Sequence, residues 1–457
     1  MNAAAVNSSR WADSPVTQSA NRQELPSTRW WRFYKLPPGC WSMDIDAERL
    51  RADIEANARF GAVGATAGKG RTVLTGSEAD EQVRERFVER LTAAGLTVRV
   101  DAVGNIVGRW TPPDCDPDAA AVAVGSHLDS VPRGGIFDGP LGTYAALESV
   151  RTMQAADVTP DHPIEVVCFT EEEGARFGVG TLGSSVATGQ RTASSALSLT
   201  DDDGVSLETH LEGIGFVGED TIDASSWDSW VELHIEQGTK LTSNDAGVGI
   251  VDSVTGITNC EVTVTGEADH AGSTPMDERT DAAAAAAEFV LDVEQAGREY
   301  AATSDAAVAT AGKGTLDPNA RNIVPERVDL QLDIRDVDHG RMTQMVDHCR
   351  DSLSRLEETR GVETTRKRYR DSEPTHCSER FLRAADTAAT NAGIEVIELS
   401  SGAMHDTANV ATVTDAGLLF APSEGGYSHS PQEWTDWDDC ATATAVLAET
   451  VRSLTTA

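Results

Sequence analysis

A chain of 457 residues, 40% hydrophobic and 24% charged, has a globular composition and exceeds one ordinary hydrophobic core, so two domains are expected. No apolar run reaches the roughly 18–20 residues of a membrane span, and the N-terminus carries no basic-then-apolar export pattern. Seventy-four acidic against 37 basic residues leave a net charge of −37, which disfavours nucleic acid as a partner because phosphate binding needs clustered Lys and Arg. Self-repulsion on that scale destabilises a compact chain at low salt and is screened within ~3 Å at ~1 M salt, so a salt-rich cytoplasm is the expected setting. The seven cysteines are scattered and never spaced as CxxC, which suits a reducing compartment and argues against a thiolate zinc site.

Residues 1–42 differ in composition from the rest of the chain: five basic residues face Asp13 and Glu24, and four of the nine tryptophans fall here without helical or strand period. They read as a disordered extension, or as a mis-assigned start with Met43 as the initiator. Asp44 to Phe60 then reads as an acidic amphipathic helix and Ala79 to Leu96 as a second helix. Strands are expected around Leu96–Val100, at Asn105–Val107 and at Ala121–Val124. The last leads into His127, Asp129, a glycine-rich turn carrying Asp138, and a helix. Glycines 134, 135, 139 and 142 let that turn bend sharply and approach a ligand closely. Residues 163–170 form another apolar strand running into Glu171, Glu172 and Glu173, and residues 191–228, polar, acidic and irregular, read as helix and loop. Trp230–Ile235 is a third strand with His234 near its end.

After about residue 250 the texture changes. Strands at Cys260–Thr265 and Val328–Ile334 flank an alanine-rich helix from Asp281 to Glu294, and a second helix lies near Arg341–Glu358. This order reads as a compact inserted α+β domain over residues 251–365, splitting a larger α/β domain into 43–250 and 366–457. From about residue 365 α/β character returns, ending in a loop with His429 and a final helix.

The residues just beyond apolar strands are His127, Asp138, Glu172, Glu173, His234 and His429. Any one of them alone is more often a solvated or turn residue, and an HxD pair followed by DG occurs by chance. Their shared placement matches the N/O ligands of Zn²⁺ or Mn²⁺.

Eight motifs occur in order: GSHLDSVPRGGIFDGPLG, EEEGARF, ELHIEQG, DHAGSTPMDER, RNIVP, LDIR, SGAMHD and GGYSHSPQE. In them the chain resembles the amidase, hydantoinase and carbamoylase branch of the M20 metallopeptidase superfamily over roughly residues 45–455. The resemblance implies an α/β fold: a di-metal catalytic domain with a mixed, mostly parallel sheet, interrupted by a smaller α+β lid and dimerisation domain. It implies two divalent ions, Zn²⁺ or Mn²⁺/Co²⁺, with His127, Asp138 and His234 on one, and Asp138 bridging to a second completed by Glu173 and His429. Asp129 would orient His127, and Glu172 matches the general base that takes a proton from the attacking water and returns it to the leaving nitrogen. His270 matches an oxyanion-stabilising histidine that commonly reaches a neighbouring subunit's site. Arg335 matches the arginine that forks onto a substrate carboxylate, while Gln237 and Asn322 match polar substrate contacts.

Three positions depart from the family pattern. Asp269 stands where Asn is usual and would raise the pKa of His270; Met404 replaces a substrate-touching glycine and would narrow the pocket; Tyr427 replaces an aliphatic residue. The implied activity is hydrolysis of the ureido C–N bond of N-carbamoyl-L-amino acids, small substrates that also carry a carboxylate, by a homodimer. Allantoate and β-ureidopropionate are alternatives. An aminoacylase or dipeptidase is a further one, which His234 and the IEQG motif disfavour, and a silent binding protein is another, which the intact Glu172 disfavours.

Overall fold

The computed structural model describes residues 44–113 and 115–456; the expectations for residues 1–42 and for Met43 lie outside them. Asp46 caps α1 (Ala47–Asn57) by accepting from the Arg49 N–H, and Ser77 caps α2 (Glu78–Ala93) in the same way. The second helix ends three residues before the expected Leu96, where the chain turns into the hairpin β1 (Thr97–Val100) and β2 (Ile106–Trp110).

The apolar runs become β3 (Val122–His127), β4 (Ile164–Phe169) and β5 (Ser229–Ile235), every residue of which is buried. Val122 and Val124 face one core and Ala121 and Ala123 another, as they must in strands covered on both faces. Between β3 and β4 runs α3 (Pro140–Ala155), which begins with Pro at its first turn after Gly139 at φ 79°. The stretch expected as helix and loop contains short helices at Ala193–Leu197 and Leu207–Gly213, and a further short helix, Leu182–Ala187, precedes it.

Strand β6 (Val248–Val254) closes the first part of the large sheet. A separate four-stranded sheet follows: β7 (Gly256–Thr265), α4 (Ala282–Ala301), β8 (Val308–Asp317), β9 (Arg327–Asp336), α5 (His339–Arg360) and β10 (Glu363–Ser372). Its order is β8-β9-β7-β10, antiparallel throughout, with both helices on one face around a core of its own that includes Cys260, Val262, Phe289 and Met345. The expected boundaries at 251 and 365 thus fall inside β6 and β10: residues 251–254 stay in the large sheet and 366–372 in the small one. The first of these strands is almost wholly buried and the second almost wholly exposed, so neither carries an alternating pattern that would mark its end in the sequence.

The chain then returns through α6 (Glu379–Ala392), β11 (Val396–Ser401), β12 (Asp415–Ala421) and α7 (Trp437–Leu454). Among the described residues the large sheet runs β6-β12-β5-β3-β4-β2-β1, with β11 and the two-residue strand Thr375–His376 also on β6. It is mixed, as expected, but parallel only through β12, β5, β3 and β4 and where β11 joins β6; the hairpin side and the β12–β6 pair are antiparallel.

Candidate metal centre

The four central strands deliver their carboxyl ends side by side, where open α/β sheets hold ligands. His127 ends β3, His234 precedes the last residue of β5, Glu172 and Glu173 follow β4, and His429 lies in the loop after β12. Asp138 enters from the β3–α3 turn. A Cβ on Gly139 would sit 2.6 Å from the His127 ring, and one on Gly142 would sit 2.1 Å from the Leu233 carbonyl, so both glycines let α3 and its turn close over the strands.

Two groups of ligand atoms result, His127–Asp138–His234 and Asp138–Glu173–His429, each with its atoms within 4.8 Å of one another. Asp138 divides its oxygens between them: Oδ1 lies 3.5 Å from His127 Nε2 and 3.2 Å from His234 Nε2, while Oδ2 lies 3.8 Å from His429 Nε2. His429 Nε2 is 3.2 Å from Glu173 Oε2. Glu172 Oε2 stands 3.7 Å from His127 Nε2.

The residues fit a divalent cation. His127 Nε2 is buried without a hydrogen-bond partner, an arrangement that costs stability unless something accepts its lone pair or proton. Asp129, Asp138 and Glu173 also crowd negative charge in a largely buried space, which demands a counter-charge. Burial opposes ionisation of Asp138, but His234 and His127 hold its carboxyl well below the usual range. Burial first, then the Asp406, Glu173 and Asp129 carboxylates, raises Glu172 well above it against the pull of His127. The Glu173 hydrogen bond lifts His429 to about 9.

Asp129 is tied to the loop after β4 rather than to the imidazole alone. Its carboxylate accepts from the backbone N–H of Glu172 at 3.2 Å and of Glu173 at 3.1 Å, with Oδ1 3.6 Å from His127 Nδ1. The closer partner of that nitrogen is the Asp129 carbonyl, at 3.2 Å. Gln237 Nε2 donates to Asp138 Oδ2 and to Ser428 Oγ, both at 2.9 Å.

The ligands open onto a cavity of about 460 Å³ that Gln237, Arg335 and Met404 also line. Arg335 arrives with its fork engaged: Nε and Nη2 donate to the Asp333 carboxylate at 2.7 and 3.0 Å, and Nη1 donates to the Gly402 carbonyl at 2.7 Å. His270 and Asn322 do not line this cavity. His270 lies on, and Asn322 immediately before, the short strand pair Asp269–His270 and Ile323–Val324; both are exposed, and the Asn322 carbonyl accepts from the Ala271 N–H. Asp269 accepts from the His270 backbone N–H at 2.7 Å. Tyr427 is half exposed and stands outside the cavity lining.

Four residues of the site escaped the sequence reading. Arg71, fully buried, donates to the carbonyls of Leu128, Asp129, Gly135 and Asp138, and nothing in its local sequence marks it. Glu433 accepts from the N–H groups of Phe137 and Asp138, and His405 packs its ring 4.6 Å from that of His234. Both stand in quoted motifs, SPQE and SGAMHD, that could have been mined further. Arg370 lines the cavity from β10 without a motif.

Residues 123–453 match the model of peptidase family M20/M25/M40. The chain is 38% identical over 414 residues to an N-carbamoyl-L-amino acid amidohydrolase of Geobacillus stearothermophilus, covering 90% of this chain and 99% of that one. It is 32% identical over 424 residues to a ureidoglycolate hydrolase of Arabidopsis thaliana, covering 90% and 87%. The crystal structure of a hydantoinase/carbamoylase family amidase from Burkholderia multivorans superposes with a TM-score of 0.85 at 33% identity, covering 91% of this chain and 99% of that one. A paired His/Asp/Glu ligand set at the ends of parallel strands and likeness across nine-tenths of the chain agree: the protein belongs to peptidase family M20/M25/M40, among its hydantoinase/carbamoylase amidases.

Proposed function

We propose that this protein is a metal-dependent amidohydrolase that cleaves the ureido C–N bond of N-carbamoyl-L-amino acids. The observation that carries the reading is the shared carboxylate: Asp138 faces two histidines with one oxygen and His429 with the other, beside the buried Glu172. His127, Asp138 and His234 would hold one divalent ion, and Asp138, Glu173 and His429 a second. Such ions, when bound, polarise the substrate carbonyl and make water a nucleophile at neutral pH. Glu172 takes the proton from that water and passes it to the leaving nitrogen, a task that suits a carboxyl with a raised pKa. Asp129 keeps Glu172 and Glu173 in register through their backbone N–H groups, and Gln237 fixes the orientation of Asp138. Arg335 retains two of its N–H donors for a substrate carboxylate.

Residues 256–372 act in this reading as a lid and dimer contact, and exposed His270 and Asn322 serve the active site of a second copy. The acidic surface suits a salt-rich cytoplasm. Among the described residues no helix is long and apolar enough to cross a membrane. A second reading, hydrolysis of a ureido acid such as ureidoglycolate, is favoured by the relatives bearing that name.

The test is parallel measurement of ammonia and amine release with metal-loaded protein at high salt. N-carbamoyl-L-amino acids, allantoate, ureidoglycolate and β-ureidopropionate are offered side by side. Turnover of the first class supports the proposal; turnover of another class alone replaces it; silence on all four with metal bound refutes ureido chemistry.

A further inference from the structure

The cavity holds two guanidinium groups, and only one has a carboxylate. Arg335 on β9 lies opposite Ile257 of β7, and Arg370 on β10 lies opposite Asn259, two residues along β7 on the same face. That face is the one turned away from α4 and α5, since Cys260, Val262 and Val264 of β7 pack into the helix-covered core. Arg370 reaches it through a bulge. Arg368 pairs with Cys260 and Arg370 with Asn259, so the register slips at Tyr369. Without that slip, Arg368 and Arg370 would share one face of the sheet. The bulge turns Arg370 over to the side of Arg335 and Ile257, and all three line the cavity.

The two arginines differ in what they touch. Arg335 is forked onto Asp333. Among the described residues Arg370 makes no ion pair, and its one hydrogen bond is a 3.4 Å contact to Ser372 Oγ. Partial burial and the neighbouring Arg335 charge lower its pKa, as expected for a cation placed where no anion yet answers it. In a chain of net charge −37 with only 37 basic residues, a strand bulge that places an unpaired cation beside another one calls for a ligand of opposite charge.

Resting on the proposed ureido hydrolysis, we infer that Arg370 is a specificity determinant that receives a second carboxylate, making N-carbamoyl-L-amino acids with acidic side chains the favoured substrate class. Arg335 takes the α-carboxylate and Arg370 the side-chain carboxylate. A cavity of about 460 Å³ has room for both and for the ureido group at the metal ligands.

The experiment compares kcat/KM for N-carbamoyl-L-glutamate and N-carbamoyl-L-aspartate with that for N-carbamoyl-L-methionine in the wild type, Arg370→Gln and Arg370→Lys. The wild type should favour the acidic pair, and Arg370→Gln should lower the acidic-to-neutral ratio by about 10- to 100-fold, mostly through KM. Arg370→Lys should restore part of that ratio, because it returns the charge without the fork. A wild type that favours the neutral substrate, or an Arg370→Gln loss equal for both classes, overturns the inference; equal loss would give Arg370 the α-carboxylate or a structural role. Turnover of neutral substrate alone defeats this inference and leaves ureido hydrolysis standing, whereas silence on every carbamoyl substrate defeats both.

Discussion

Glu172 and Asp129 show how a single side chain here acts through geometry. Burial first, and then neighbours of its own sign, hold the pKa of Glu172 above that of an exposed glutamate, which suits a group that must both take up and hand on a proton. Replacing it with Gln removes the proton carrier while preserving shape, and turnover should fall about 100- to 10,000-fold. Metal content by elemental analysis should be unchanged, because Glu172 lies outside both ligand groups. Near wild-type activity in that variant would end the mechanism. Arg71 makes a second case at this scale. It gathers four backbone carbonyls beneath the ligand turn, and Arg71→Leu strips their donors without filling the gap. The variant should lose about 3 kcal/mol in urea unfolding. Its metal affinity should drop about 10- to 100-fold, as for other groups that orient ligands from behind. Stability equal to the wild type would show those carbonyls are satisfied otherwise.

The hairpin β1–β2 is tied to the loop after β4 by a polar relay. Asp101, just after β1, accepts from the N–H groups of Val103 and Asn105 and from the Asn105 side chain, which itself donates to the Gly183 carbonyl and accepts from the Thr170 N–H just before Glu171. Burial, against those hydrogen bonds, raises Asp101 to about 6. A carboxyl whose folded pKa exceeds its unfolded value stabilises the fold below the unfolded pKa, and that contribution is lost as pH rises to about 6. Between pH 4.5 and 6.5 the wild type should therefore lose about 2 kcal/mol of unfolding free energy relative to Asp101→Asn. Denaturant titrations at the two pH values measure it; parallel pH dependence of the two proteins would show that Asp101 titrates normally. The elements were readable from the chain to different degrees. Strands β3, β4 and β5 were legible because continuous apolar runs bounded by polar turns leave no other fit. Residues 191–228 were legible only as a mixture of helix and loop without helix bounds, because their few buried residues, such as Leu207 and Leu211, find their partners only in the assembled core.

At the scale of the whole molecule the acidic excess and the small sheet each make a prediction. A net charge of −37 repels itself, so the melting temperature should rise by several degrees between low salt and about 2 M KCl, where the screening length falls below about 3 Å. KCl isolates screening from the surface exclusion that sulfate adds. A flat response would show that the charges are already paired or dispersed. If His270 serves the site of a second copy, mixed dimers of His270→Ala and Glu172→Gln, each inactive, should recover up to about one quarter of wild-type activity, since one site in a mixed dimer keeps both residues and about half of randomly mixed dimers are mixed. No recovery after verified subunit exchange would confine His270 to its own chain.

Sequence alone marked His127, Glu172, Glu173 and His234, because each stands at or within a few residues of the end of a buried strand, whereas the assignment of a ligand set, with Asp138 and His429 in it, rested on the family resemblance. The fork of Arg335 on Asp333 is two residues long, yet sequence alone did not reveal it, since a strand's alternate residues share a face but only the surrounding sheet decides whether they meet. Tertiary structure decided the rest: which strand ends became neighbours, that Arg71 lies beneath them, that a bulge turns Arg370 toward Arg335, and that His270 and Asn322 stand outside the cavity. Those outcomes depend on contacts between residues tens to hundreds of positions apart. Local pattern constrains the angles of one segment, whereas only packing several segments together sets the distance between them.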